Sequence, residues 1–342
     1  MAFKDVPNQV DFVALEQEIL KFWRETDAFN ALRRLRATSD KRWSFLDGPI
    51  TANNPMGVHH VLSRSVRDSA ALLDLTAGPM PGDAYEIAPP QRPWIDAVGA
   101  DPGRLRIAMA LSPADGTEAH PECVAAVESA AAALGDLGHE VVEADPPWTS
   151  DLILEVLSGL MGAPMAVEID ARLAELGRDL VDDDLEPFTR FLYDSALHAS
   201  ARDIVSAMVG LEALGRAMGE FLTTYDLLLT PTLPQPMPPL GYLDTTNIEA
   251  MFERAATSSA LTSPFNITGQ PAVSLPLATG SNGIPIGVQL AAAFGREDRL
   301  FSVSAQVEAA HPWSIAPVWP ARSEAGWPSY VESHAHRTMH EA

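Results

Sequence analysis

The stretch Tyr225–Gly241, YDLLLTPTLPQPMPPLG, decides the fold. Its apolar run stops in a proline-rich loop, so Asp226–Thr230 reads as a buried strand. Downstream lie SPFNITGQPAVSLPLA (263–278) and TGSNGIPIGVQLAAAFG (279–295). In them, Ala272–Ala278 and Ile286–Ala293 are β-rich and flank Ser281-Asn282-Gly283, which predicts a hairpin or tight connection. Both runs are almost wholly apolar, which predicts strands buried on both faces. The chain from about Val61 onward reads as cover for them.

Working outward, Val61–Leu75 has a helical stripe with Arg64, Arg67 and Asp68 opposite it. Gly78–Asp83 breaks that helix, and a proline-rich connection leads to Trp94. Arg104–Leu111 reads as a strand, Pro121–Leu137 as an alanine-rich helix and Glu140–Glu143 as a returning strand. Such a βαβ unit predicts two parallel strands with a right-handed crossover. The turn after the first strand has one glycine and no dinucleotide fingerprint, so it reads as scaffold. Cys123, in the first turn of the helix, reads as packing rather than as a reactive thiol. Asp151–Met165, Ala166–Leu176 and Phe188–Phe221 read as helices. Asp182-Asp183-Asp184 invites a metal reading, but adjacent residues point in different directions, so a solvated turn is expected. The histidines of the tail, His334, His336 and His340, read as a frayed terminus, and residues 316–342 are expected to be poorly ordered.

Charge divides the chain near residue 60. Residues 1–60 hold eight Lys/Arg and eight Asp/Glu, so the formal net charge of −23 sits entirely in the remainder. All three lysines, Lys4, Lys21 and Lys41, belong to the first regime. An acidic body argues against capture of a nucleic-acid backbone and fits simple solubility. One cysteine excludes an internal disulfide and a cysteine-based zinc cluster. No uninterrupted apolar run reads as long enough to cross a bilayer, and MAFKDVPNQVDF lacks the apolar core of a signal peptide. A soluble cytoplasmic protein with no cofactor and no membrane or nucleic-acid partner is the expectation.

PFNITGQPAVSLPL, GIPIGVQL, the Gly295-Arg296-Glu297-Asp298 turn and the helix ending in EAAHPW together resemble the C-terminal part of the amidase signature family. So does HVLSRSVRDSAALLDLTAGPMPGDAY, residues 60–85. The resemblance spans about residues 60–315. It implies an α/β fold, a partial amidase-signature mixed sheet flanked by helices, over residues 61–315. It also implies hydrolysis of carbon–nitrogen amide bonds in a small or linear amide. The loop carrying Asn266, Thr268 and Gln270 would lie near the acyl pocket. A second role is open for those three, satisfying backbone groups beside buried strands.

Residues 1–60 resemble something else. A helical stripe from Phe12 to Leu35 contains Phe22-Trp23; a strand-like Arg42–Leu46 runs into Asp47-Gly48-Pro49; His59-His60 follows. That order is similar to the opening of a class I aminoacyl-tRNA synthetase of the isoleucine/leucine/valine type. There, a histidine motif at a helix N-terminus faces ATP phosphates. His59 and His60 would be the first half of that nucleotide-binding motif, but Val61-Leu62 stands where the second half is expected. They read better as loop histidines. The chain therefore reads as a fusion of a synthetase-like fragment to a truncated amidase.

The family's chemistry uses a serine nucleophile, a second serine and a lysine base, with backbone N–H donors for the oxyanion. No Gly-Gly-Ser-Ser-Gly run occurs, and no lysine follows Lys41. Ser63, Ser65 and Asp68 beside the histidine pair supply the vocabulary of a triad but crowd one helix turn, which seldom gives its geometry. No catalytic residue and no metal ligand is assigned, and the chain is expected to be inactive alone. The alternatives are a ligase fragment with residual ATP-site residues, and a non-catalytic binding module or a fusion without a selected role.

Overall fold

A computed structural model describes residues 65–79, 87–114, 116–239 and 241–313. All of them lie in the unit Asp47–Ile315. The centre is a five-stranded sheet of order β2-β1-β3-β5-β4. Its strands are β1 (Arg106–Met109), β2 (Glu140–Glu143), β3 (Leu227–Pro231), β4 (Ala272–Thr279) and β5 (Pro285–Ala292). β2, β1 and β3 run parallel, and β5 is antiparallel to both β3 and β4. The sheet is thus mixed, as expected, and β1 and β2 are joined by α2 (Pro121–Asp136) in the expected βαβ unit.

Adjacent residues of a strand face opposite ways, and here both faces are covered. Ile107, Leu227, Leu229 and Leu290 pack against Val127 and Leu134 of α2 and against Val303 of α9 (Glu297–Ala310). Ala108, Leu228 and Ala291 face Leu214 and Met218 of α6 (Ala201–Thr224), with Leu261 and Phe265 beside them. Leu227, Leu228 and Leu229 are each fully buried, which is why the run tolerates no polar residue before Thr230.

The hairpin between β4 and β5 forms as its sequence predicts. Gly283 takes a φ of +77°, which a side chain would strain, and Asn282 Oδ1 accepts from Ile284 N. β5 is buried on both faces, but β4 is not, contrary to expectation: Ala272, Ser274 and Thr279 are exposed. The reason is position. Among the described residues β4 is the last strand of the sheet, and the helices over Leu228 and Ala291 do not extend across it.

Several boundaries also move. α1 (Val66–Thr76) starts at an Ser65 cap, whose hydroxyl accepts from Asp68 N. α3 (Ser150–Leu160) and α4 (Gly162–Leu176) meet at Met161, not at Met165. The long helix expected over 188–221 is two, α5 (Pro187–His198) and α6, separated by Ser200. Ser200 Oγ accepts from Asp203 N while the Asp203 carboxylate accepts from Ser200 N, a reciprocal cap that starts a new helix. Ser150–Leu176 is 27 residues and contains an 18-residue window with a mean hydropathy of 1.7, long and apolar enough to cross a membrane by length and composition. Within the fold, α3 lays Ile153 and Val156 against α6, and a Cβ at Gly159 would collide with Ala207.

Candidate substrate-binding site

The apolar face between sheet and α6 turns polar toward the end of β3. Thr230 is buried and opposite Gln289 of β5. Gln289 Nε2 donates to Thr230 Oγ1 at 3.0 Å and to the Leu261 carbonyl at 2.9 Å. Thr230 Oγ1 in turn lies 3.0 Å from the Pro231 carbonyl as a donor. The buried polar pair is therefore satisfied, as its burial demands.

Two residues further, Thr232 and Ser274 bring their hydroxyl oxygens to 2.6 Å. They meet across β5 because Gly287 lies between them. A Cβ there would sit 2.5 Å from Ser274 Oγ and 2.7 Å from Thr232 Oγ1. Glycine inside this strand marks a close approach. Beyond Thr232 the chain enters the proline-rich loop, and a cleft of about 250 Å³ opens between it and α7 (Ile248–Ser259). Leu233, Pro236, Met237 and Tyr242 give it apolar walls, and Gln235 and Thr257 add polar groups. The loop is pinned at both ends. His120 N donates to the Pro234 carbonyl at 2.7 Å, and Arg254 Nη1 donates to the Tyr242 carbonyl at 2.7 Å while stacking over that ring. The outer end of a parallel strand is where ligands bind in open α/β sheets.

The residues singled out from sequence fall elsewhere. Asn266 and Thr268 belong to α8 (Ser263–Thr268), and Gln270 directly precedes β4. Thr268 Oγ1 is 2.7 Å from Gln270 Oε1 and 2.8 Å from the Pro264 carbonyl, and Gln270 is buried. Asn266 is exposed. By register, Gln270 sits beside the beginning of β3, whereas Thr232 and Ser274 sit toward its end, so the structure does not bring the two groups together. His59, His60, Ser63, His334, His336 and His340 lie outside the described residues. Ser65 caps α1.

Cys123 is buried, and burial pushes its thiol above the ordinary value, which suits packing and not attack. Asp182–Asp184 forms a 3-10 turn. Asp184 accepts two bonds from the Arg178 guanidinium, at 2.6 and 2.8 Å, which hold its carboxyl at about 2. Among the described residues no group of three His, Cys, Asp or Glu is placed to hold a metal ion.

The Amidase family profile matches residues 47–301. The chain belongs to the amidase family. The matched segment begins ahead of the composition change near residue 60. A 6-aminohexanoate-cyclic-dimer hydrolase of Paenarthrobacter ureafaciens is 36% identical over 280 residues, covering 78% of this chain and 57% of that protein. A putative amidase AmiC of Mycobacterium leprae is 32% identical over 270 residues, 76% and 54% of the respective chains. The solved 6-aminohexanoate cyclic dimer hydrolase complexed with substrate superposes with a TM-score of 0.66 at 34% identity, covering 80% of this chain and 60% of that one. A bacterial aryl acylamidase of the amidase signature family, 20% identical with a TM-score of 0.61, shares the fold. The chain thus spans somewhat over half the length of the relatives it matches.

Proposed function

We propose that this chain carries the acyl-binding part of an amidase acting on a small aliphatic amide, and that the 342-residue chain alone turns over no substrate. One observation carries the second half. An amide hydrolase of this type needs a basic side chain to take the serine proton, yet no lysine follows Lys41 although the amidase match begins at residue 47. Among the described residues, the serines discussed above serve other ends: Ser65 caps a helix and Ser274 bonds Thr232.

The cleft behind Thr232 supports the first half. Its apolar walls suit a methylene chain, and Gln235 and Thr257 among its lining residues suit an amide; the Thr232–Ser274 hydroxyl pair lies one residue before the loop that forms it. Relatives named as hydrolases of the 6-aminohexanoate cyclic dimer act on such a compound. Thr268 and Gln270 hold the start of β4 in this reading and do not touch substrate, and Asn266 is an exposed residue of α8.

The test pairs binding with turnover. Titration with the 6-aminohexanoate cyclic dimer, followed by calorimetry, should give a binding isotherm, with no amine released over hours. Release of amine would overturn the proposed inactivity; absence of heat and of any thermal shift would overturn the acyl site. The likeness of residues 1–60 to a synthetase opening rests on sequence alone. No ligase activity is proposed for it, and ATP–pyrophosphate exchange should stay at background.

A further inference from the structure

Asn282 stands directly before Gly283 in the β4–β5 turn, and no other asparagine in the sequence precedes a glycine. Both residues are exposed, so water reaches them. The pair carries its own reactants. Asn282 holds a side-chain amide, one of the chemically labile groups of a protein. Gly283 supplies the next backbone nitrogen, and without a Cβ it leaves the approach to that nitrogen open.

The turn restrains both reactants. Gly283 N donates to the Gly280 carbonyl at 2.9 Å, and Asn282 Oδ1 accepts from Ile284 N at 2.9 Å. Gly280 N donates to the Ile284 carbonyl at 2.8 Å and closes the loop. A nitrogen and a carbonyl carbon react only from a near-attack arrangement, so these bonds must open first. One contact from outside the hairpin braces them. Glu122 of α2 accepts from Ser281 N at 3.2 Å and from the Ser281 hydroxyl. Asn282 Oδ1 is close by: a Cβ at Gly280 would sit 3.0 Å from it and 3.0 Å from Glu122 Oε2.

We propose that Asn282 is a site of spontaneous conversion to aspartate and isoaspartate, and that Glu122 sets its rate by bracing the turn. Gly283 N gives up its proton and attacks Asn282 Cγ. The new C–N bond closes a cyclic imide, and the side-chain nitrogen leaves as ammonia carrying that proton. Water then adds to one carbonyl of the imide. Opening on one side restores the backbone with an aspartate. Opening on the other routes the backbone through the former side chain and leaves isoaspartate. Either product places a carboxylate beside Glu122, where like charges repel. The conversion therefore works against the brace that slows it. Neither step involves the cleft behind Thr232.

The purified 342-residue chain is kept in mildly alkaline buffer, folded or unfolded in urea. It is sampled over weeks by proteolysis and mass spectrometry, with released ammonia measured alongside. Conversion should occur at Asn282 and not at Asn247 or Asn266, which precede isoleucine. It should run several-fold faster in urea than in the fold. Glu122→Ala should convert several-fold faster than the parent chain when folded and at the same rate in urea. Ser281→Ala, which takes the hydroxyl from the hairpin side of the tie, should raise the folded rate by less, judged against its own rate in urea. Asn282→Asp reproduces one product, and its Ser281 amide should exchange several-fold faster than that of the parent chain. A folded chain that keeps Asn282 intact while the urea sample converts fully overturns the proposal. So do folded Glu122→Ala and Ser281→Ala chains that convert no faster than the parent.

Discussion

The two faces of the central sheet carry the same strands and different chemistry. Toward α2 and α9 the buried part of the face is apolar: Ile107, Leu227, Leu229, Leu275, Val288 and Leu290 meet Val127, Leu134 and Val303. Toward α6 and α8 it begins equally apolar, with Ala108, Leu228 and Ala291. It then passes through the buried Thr230–Gln289 pair to the open Thr232–Ser274 pair. One face is packed with apolar side chains; the other is packed at one end and polar at the other.

The largest expected effect breaks the closed face. Leu229→Ala should lower unfolding free energy by about 2–5 kcal/mol in a urea titration, since the fully buried side chain leaves a cavity. Binding of the cyclic dimer to the remaining folded protein should not change. Gln289→Leu tests the boundary between the faces. It leaves the Leu261 carbonyl without this donor inside a buried site, so a loss of about 1–3 kcal/mol is expected, read by the same titration. Ser274→Ala sharpens the contrast from the open side. The residue is exposed, so stability should move by no more than about 0.5 kcal/mol, while affinity for the cyclic dimer should fall several-fold.

The smallest effect concerns acid. Glu122 of α2 is held below the ordinary glutamate value by hydrogen bonds from Ser281, its side chain first and its backbone N–H second. A lowered folded value means this tie is present above the unfolded glutamate value and is lost as pH falls through the folded one. The β4–β5 turn should therefore hold through the ordinary glutamate range and loosen only at more acid pH. The Ser281 amide resonance would report it, and Glu122→Gln should remove the pH dependence.

Most strands were legible because they are apolar runs bounded by prolines and glycines. Glu140–Glu143 forms the strand expected of it, and the turn at Gly283 needs the positive φ that its tripeptide announces. Depth was not legible. AVSLPLA reads as a core strand because apolarity does not say whether a neighbour exists on both sides, and β4 has one only at β5 among the described residues. The break at Ser200 carried a signal, a serine three residues before an aspartate, that the long helical stripe masked.

The candidate site was nearly invisible. Thr232, Ser274 and Gly287 come from three segments, and only strand register brings them together. The one local hint was a glycine inside an apolar strand. Asn266, Thr268 and Gln270 drew notice because they are polar residues in the best-matched motif, but Thr268 and Gln270 bond to each other at the other end of the strands.

The central claim is that this chain holds an amidase sheet and acyl cleft without the groups that activate a serine. Treating the purified 342-residue chain with a fluorophosphonate probe, and mapping any adduct by mass spectrometry, tests it most directly. The account predicts no labelled serine and no amine release from the cyclic dimer. A single labelled serine whose replacement abolishes measurable amide turnover would contradict it.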